Sequence, residues 1–131
     1  MKGLDSGVLL GILEGAPRAK ELLRKMRGVE VATTEMNLLE LASIAMRSCG
    51  RQRRSRLAAL ERLRHRLTVL PIDSRAIGAA VGRPTPPGRR LLPLAVAIAG
   101  AMEAAGCEEI LTDDPRFPEA DWSFRVRHVA I

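Results

Sequence analysis

The sequence predicts an α/β fold in which a central parallel sheet carries helices on both faces, a three-layer α/β/α sandwich. Three observations carry this reading. Short apolar or β-branched runs alternate along the chain with longer stretches of helical spacing, the signature of strands joined by crossover helices. The length, 131 residues, suits one domain spanning 1–131. Hydrophobic residues at 47% and charged residues at 27% match the composition of ordinary folded domains, which excludes a disordered chain.

Element by element, Lys2–Leu4 is a short strand ending at Asp5, and residues 7–13 have helical spacing. Pro17 suits the first turn of a helix through Lys25, and Gly28 stops it. Residues 29–32 are a β-branched strand. Thr33 or Thr34 then caps a helix carrying Met36, Leu39, Ala42 and Met46, which Gly50 ends. Residues 51–67 form a long helix with Leu57, Leu60, Leu63 and Leu67 near one face, although Arg53, Arg56 and Arg64 intrude on it. Residues 68–72 read as a strand, Asp73 caps a helix through about Val81, and residues 82–90, with PTPPG inside, read as a mobile basic loop. Residues 91–105 are apolar all round, as in a helix buried against several neighbours, with Gly106 as its C-terminal cap. Residues 110–112 form a strand ending at Asp113 and Asp114, and 126–131 a last edge strand.

Several functional classes are excluded. Aromatic residues are 2% of the chain, too few for a base-stacking platform. The longest uncharged stretch, residues 91–102, is too short for a membrane helix. No basic start followed by an apolar run and a cleavage site is present, so a cytoplasmic location is expected. Cys49 and Cys107 belong to no CxxC pair; both are expected to be buried small residues, and a disulfide between them stays open. The sequence contains no GxxxxGK, GxGxxG, GxSxG or HExxH motif. His65 and His128 are expected to be structural.

Net charge is +6, and its location is informative: residues 47–66 hold eight arginines against Glu61 alone, while the remainder of the chain is close to neutral. Such a concentration suits a polyanion, and Arg51, Arg53, Arg54, Arg56 and Arg64 in this segment are candidates for its phosphate contacts, because guanidinium groups fork onto phosphate oxygens. A solvated helix face is the alternative.

In an open parallel sheet, ligands bind at the carboxyl ends of the strands. Asp5 ends the first strand, Asp113 and Asp114 follow the fourth, and Glu40 lies two turns into the helix after the second. Three separate segments thus bring carboxylates toward one place. Hard oxygen donors of this kind suit Mg²⁺ or Mn²⁺, which neutralises them and activates water for phosphodiester attack.

Three segments carry a resemblance: LDSGVLLGILEG at residues 4–15, ATTEMNLLELASIA at 32–45 and ILTDDPRF at 110–117. In order and spacing they resemble the PIN domains of archaeal and bacterial VapC-type toxins. The resemblance implies a PIN-like fold and a Mg²⁺- or Mn²⁺-dependent endoribonuclease, usually dimeric and inhibited by an antitoxin protein. By position, Asp5, Glu40 and Asp114 would be the catalytic, metal-holding acids, with Asp113 a further metal candidate and Ser6 and Thr112 as supporting hydroxyls. Asn37, one turn before Glu40, is expected to hydrogen-bond it. The family's third acid falls at Ala95 here, and no acid lies between Asp73 and Glu103 to replace it. The alternative is therefore a catalytically degenerate PIN domain that binds RNA or a protein. A homodimer is expected from the apolar surface offered by residues 91–105 and by Leu57 to Leu67.

Overall fold

In the computed structural model, which describes residues 1–83, 93–118 and 120–131, five short strands form one all-parallel sheet. They are β1 (Lys2–Leu4), β2 (Val31–Thr34), β3 (Thr68–Leu70), β4 (Glu109–Thr112) and β5 (Arg125–His128), in spatial order β3-β2-β1-β4-β5. The first three crossovers are helical, with α1 (Ser6–Leu13), α2 (Pro17–Lys25), α3 (Glu35–Met46), α4 (Gly50–Arg66), α5 (Ser74–Val81) and α6 (Pro93–Ala104), whereas the connection from β4 to β5 has no helix among the described residues. In the central register Gly3 sits opposite both Ala32 and Ile110, and Leu4 opposite Leu111. Successive side chains leave a strand on opposite faces. Ile110 accordingly joins a core with Ala76, Ile98, Ala99 and Met102 of α5 and α6, while Leu111 joins Leu4, Val8, Leu9, Met26, Leu41 and Leu63 of the α1 to α4 side. Two cores, one on each face, make the predicted α/β/α layering.

Strand boundaries differ from the sequence reading, with local causes. β2 runs two residues further along, through Thr33 and Thr34, because the Thr33 hydroxyl donates to the Leu4 carbonyl at 3.0 Å and Thr34 then caps α3. β3 stops at Leu70 because Pro71 has no N–H to continue the ladder. β5 begins at Arg125 and ends at His128, with the Val129 amide still reaching the Thr112 carbonyl at 2.9 Å. Gly50 does not end α3, which stops at Met46; it opens α4, with a φ of 55° that only glycine adopts freely. Cys49, expected to be buried, is exposed at that turn. Cys107 is buried, and both thiols are free.

Helix α6 is buried on successive residues from Ile98 to Glu103, as an all-round apolar pattern requires. Its one buried carboxylate, Glu103, accepts from the Ser123 hydroxyl at 2.6 Å and the Ser123 amide at 3.0 Å and pairs with Arg83. At Gly100 the helix passes so close to α5 that a Cβ would collide with the Ala76 carbonyl. Residues 84–92, holding most of the basic loop expected at 82–90 and the first two residues of the helix expected from 91, lie outside the described residues. Among the described residues no helix is long and apolar enough to cross a membrane.

Candidate active site

Asp5 leaves β1 at its carboxyl end and caps α1, accepting from the Ser6 amide at 2.9 Å. Two further donors hold it. Asn37 Nδ2 reaches the same oxygen, Oδ1, at 3.0 Å, and the Thr112 hydroxyl reaches Oδ2 at 2.7 Å. Thr112 is itself occupied by the Asp114 amide at 3.1 Å, so one hydroxyl ties Asp5 to the segment carrying Asp114. Asn37 is fully buried. It is fixed by Thr34 in a capping box: the Thr34 hydroxyl donates to Asn37 Oδ1 at 2.7 Å and accepts from the Asn37 amide at 3.2 Å. Asn37 thus bonds Asp5 and Ser6, not Glu40 as expected, because its carbonyl end is bound at Thr34 and its NH₂ end points across to α1. The threonine's part is legible in sequence as a cap followed at the third helical position by an amide.

Asp5, Ser6, Gly7, Glu40, Asp113 and Asp114 line one cleft of about 280 Å³, closed on its other side by Leu94, Ala95, Ile98 and Phe117. The four carboxylates come from the ends of β1 and β4 and from α3, as strand-end geometry requires. Asp113 lies over the first turn of α1, where a Cβ on residue 7 would collide with its carboxylate; Gly7 makes that seat. Asp114 accepts from the Arg116 amide at 2.8 Å. Ala95 supplies no donor to this wall. The donor chemistry and the shared cleft fit a hard divalent cation. Among the described residues, however, no three acidic, His or Cys side chains approach closely enough to form a ligand set.

The arginine segment is separate from the cleft. Arg51, Arg53 and Arg54 are exposed on α4. Arg56 is half-buried, donating to the Ser48 hydroxyl at 2.6 Å and pairing with Glu14 at 3.6 Å. Arg64 forks onto Glu61, with bonds of 2.6 and 3.0 Å, and His65 adds a contact at 3.1 Å. The Arg64 hydrogen bond holds the Glu61 carboxyl down at about 2. His128 is exposed beside Thr112 in the register of β4 with β5. A second and larger groove, of about 900 Å³, has Leu13, Leu23, Met26 and Leu63 in its lining beside Arg24 and Arg62. It also includes Val31 and Thr68, the first residues of β2 and β3, and so opens at the pole opposite the carboxylates.

Comparison with known proteins agrees with this architecture. The PIN domain family matches residues 3–123. No curated protein sequence matches the chain. Among solved structures, the VapBC2 complex of Rickettsia felis, bound to promoter DNA, superposes with a TM-score of 0.76 at 12% identity, covering 98% of both chains. VapBC-5 of Mycobacterium tuberculosis, a toxin-antitoxin family member, gives 0.69 at 24% identity and the same coverage. The same organism's VapC20, a toxin cleaving the Sarcin-Ricin loop, gives 0.67 at 17% identity over 89% of this chain and 92% of that one. At these identities the shared property is the fold, and the match across almost the entire sequence places the chain in the PIN domain family.

Proposed function

We propose that this protein is a metal-dependent endoribonuclease of the VapC toxin type, acting in the cytoplasm. The observation that carries the reading is the convergence of Asp5, Glu40, Asp113 and Asp114 on one cleft at the carboxyl end of the sheet. Asp5, Glu40 and Asp114, with Asp113 beside them, would hold Mg²⁺ or Mn²⁺. Such an ion supplies charge neutralisation and an acidified water for phosphodiester hydrolysis. The chain's own residues do the positioning: Asn37 and Thr112 fix the Asp5 carboxylate from both sides, and exposed Arg51, Arg53 and Arg54 attract the RNA backbone. Arg56 and Arg64 serve this less directly, since each is engaged by a neighbour.

An antitoxin partner follows from the neighbours solved as VapBC complexes. The large groove suits an amphipathic, acidic segment of such a partner, because its lining combines leucines with cationic side chains. A homodimer is also part of the reading. Its supporting surface is only in part the expected one: Ile98 to Glu103 of α6 and Leu63 are buried, Leu57, Leu60 and Leu67 are half-buried, and Leu94 in the first turn of α6 is exposed. Leu39 and Met46 on α3 and Ile77 and Val81 on α5 are the exposed apolar side chains that support it.

Ala95 in the cleft wall favours a second reading, a degenerate PIN domain that binds RNA without cutting it. The test is cleavage of RNA with Mn²⁺ or Mg²⁺ by the natural sequence, Asp5→Asn and Ala95→Asp. Slow metal-dependent cleavage, lost in Asp5→Asn and raised about 10- to 100-fold with tighter Mn²⁺ binding in Ala95→Asp, is the expected result. Robust cleavage by the natural sequence means that the present acids suffice. Absence of cleavage by both the natural sequence and Ala95→Asp leaves the binding module.

A further inference from the structure

The orientation of the Asn37 amide is determined by its neighbours, and it decides what the Ser6 hydroxyl can do. Thr34 N–H, which can only donate, points at Asn37 Oδ1 at 3.2 Å. Thr34 Oγ1 accepts from the Asn37 amide and donates its own hydrogen to Oδ1 at 2.7 Å. Turning the amide over would set its NH₂ against the Thr34 N–H and its oxygen against the Asp5 carboxylate oxygen. The NH₂ end therefore faces α1, where one hydrogen goes to Asp5 Oδ1 at 3.0 Å and the other to Ser6 Oγ at 2.8 Å. Ser6 Oγ is the acceptor in that bond. Its hydrogen is left over, and no acceptor for it is found among the described residues, although Ser6 lies in the cleft wall next to Asp5.

We propose that the Ser6 hydroxyl donates a hydrogen bond to a non-bridging phosphate oxygen of RNA lying in the acidic cleft. The inference rests on the RNA-cleaving reading above and adds a substrate contact to it. A hydroxyl whose acceptor side is occupied prefers partners that only accept, and phosphate oxygens are such partners. It adds no charge, so it contacts the phosphate without disturbing the carboxylates. Asn37 is the positioning residue, Ser6 the contact.

The test measures dissociation constants by fluorescence anisotropy, with Ca²⁺ present to hold back cleavage, for a short random-sequence single-stranded RNA. The same RNA with mixed-stereochemistry phosphorothioate linkages is the second ligand, because sulfur accepts hydrogen bonds poorly. Ser6→Ala should weaken binding of the phosphate RNA about 10-fold, the loss of one hydrogen bond to a charged group. Native protein should discriminate against the phosphorothioate, Ser6→Ala should do so less, and Ser6→Thr should restore both affinity and discrimination. Ser6→Cys, nearly isosteric and a weak donor, should behave as Ser6→Ala and serves if the alanine variant folds poorly. Unchanged affinity and discrimination in these variants would overturn the contact while leaving RNA binding intact. Absence of RNA binding by the native chain would overturn the contact together with the function it rests on.

Discussion

Cys107 and Cys49 have the same side chain and opposite surroundings. Cys107 follows the turn at Gly106, its amide bonded to the Met102 carbonyl at 3.1 Å, and packs in the core with Ile110 and Phe124. Burial pushes its thiol up from 9.0 to about 11. Cys49 stands exposed before α4. A colorimetric disulfide reagent at about pH 8 should therefore titrate one thiol in the folded protein and two after unfolding, since the thiolate is the reactive form. Two fast thiols in the native protein would contradict the core placement. The pH dependence has a definite sign. A raised folded pKa means that the unfolded chain releases this proton first, so the stabilising contribution is complete below pH 9 and erodes as pH rises toward 11. At the site, the same residue-scale logic explains why Asp5 needs three donors: a carboxylate at a helix start keeps its direction only when its oxygens are held.

Among the elements, α5 and α6 depend on each other most directly. Gly100 brings the backbone of α6 onto the Ala76 carbonyl, with Ala80 beside it. A side chain at position 100 has nowhere to go, because both neighbours belong to a helix and neither is the mobile end of a long side chain. Gly100→Val should destabilise the fold by roughly 1–3 kcal/mol, read as a lower midpoint in urea with an unchanged slope. An unchanged midpoint would mean that the helices part without cost. A glycine in the middle of an apolar helix is visible in the sequence, but its neighbour is not. The absence of a polar stripe does mark this segment as buried on every side, and the buried run from Ile98 to Glu103 agrees with it. Strand ends were less legible: Pro71 marks the end of β3 by its chemistry, whereas β2 extends through Thr33 and Thr34 because of contacts to β1 and α3.

For the whole molecule, the four most exposed large apolar side chains among the described residues divide between two helices, α3 and α5. Leu39 is 62% exposed and Val81 80% exposed, with Met46 one heptad beyond Leu39 and Ile77 one turn before Val81. Each pair shares a helix face. If these faces form the proposed two-fold interface, the native chain should sediment as a dimer, and Ile77→Glu with Val81→Glu should yield a monomer whose helix content is unchanged. A native monomer at high micromolar concentration would remove the dimer from the functional reading. The separation of acidic cleft and basic, apolar groove at opposite poles of the sheet has a related consequence. A bound partner in the groove leaves the cleft open unless part of it extends around the molecule.

Local chemistry, readable over a turn or a strand, was enough to establish the alternation of strands and helices, the Asp73 cap and a threonine cap at position 33 or 34, the burial of the Ile98 to Glu103 part of α6 and the acids at strand ends. Propensity, capping and periodicity act between residues a few positions apart, so a sequence displays them directly. The tertiary structure alone decided that Asn37 serves Asp5 and Ser6, that Arg56 is drawn to Glu14 and Ser48, that Gly7 seats Asp113, and that the arginine helix stands apart from the carboxylates. The Thr112 to Asp5 bond joins residues 107 positions apart. Such a contact exists only after strand order is set, and strand order follows from how two apolar cores close over both faces of the sheet, which no local pattern encodes.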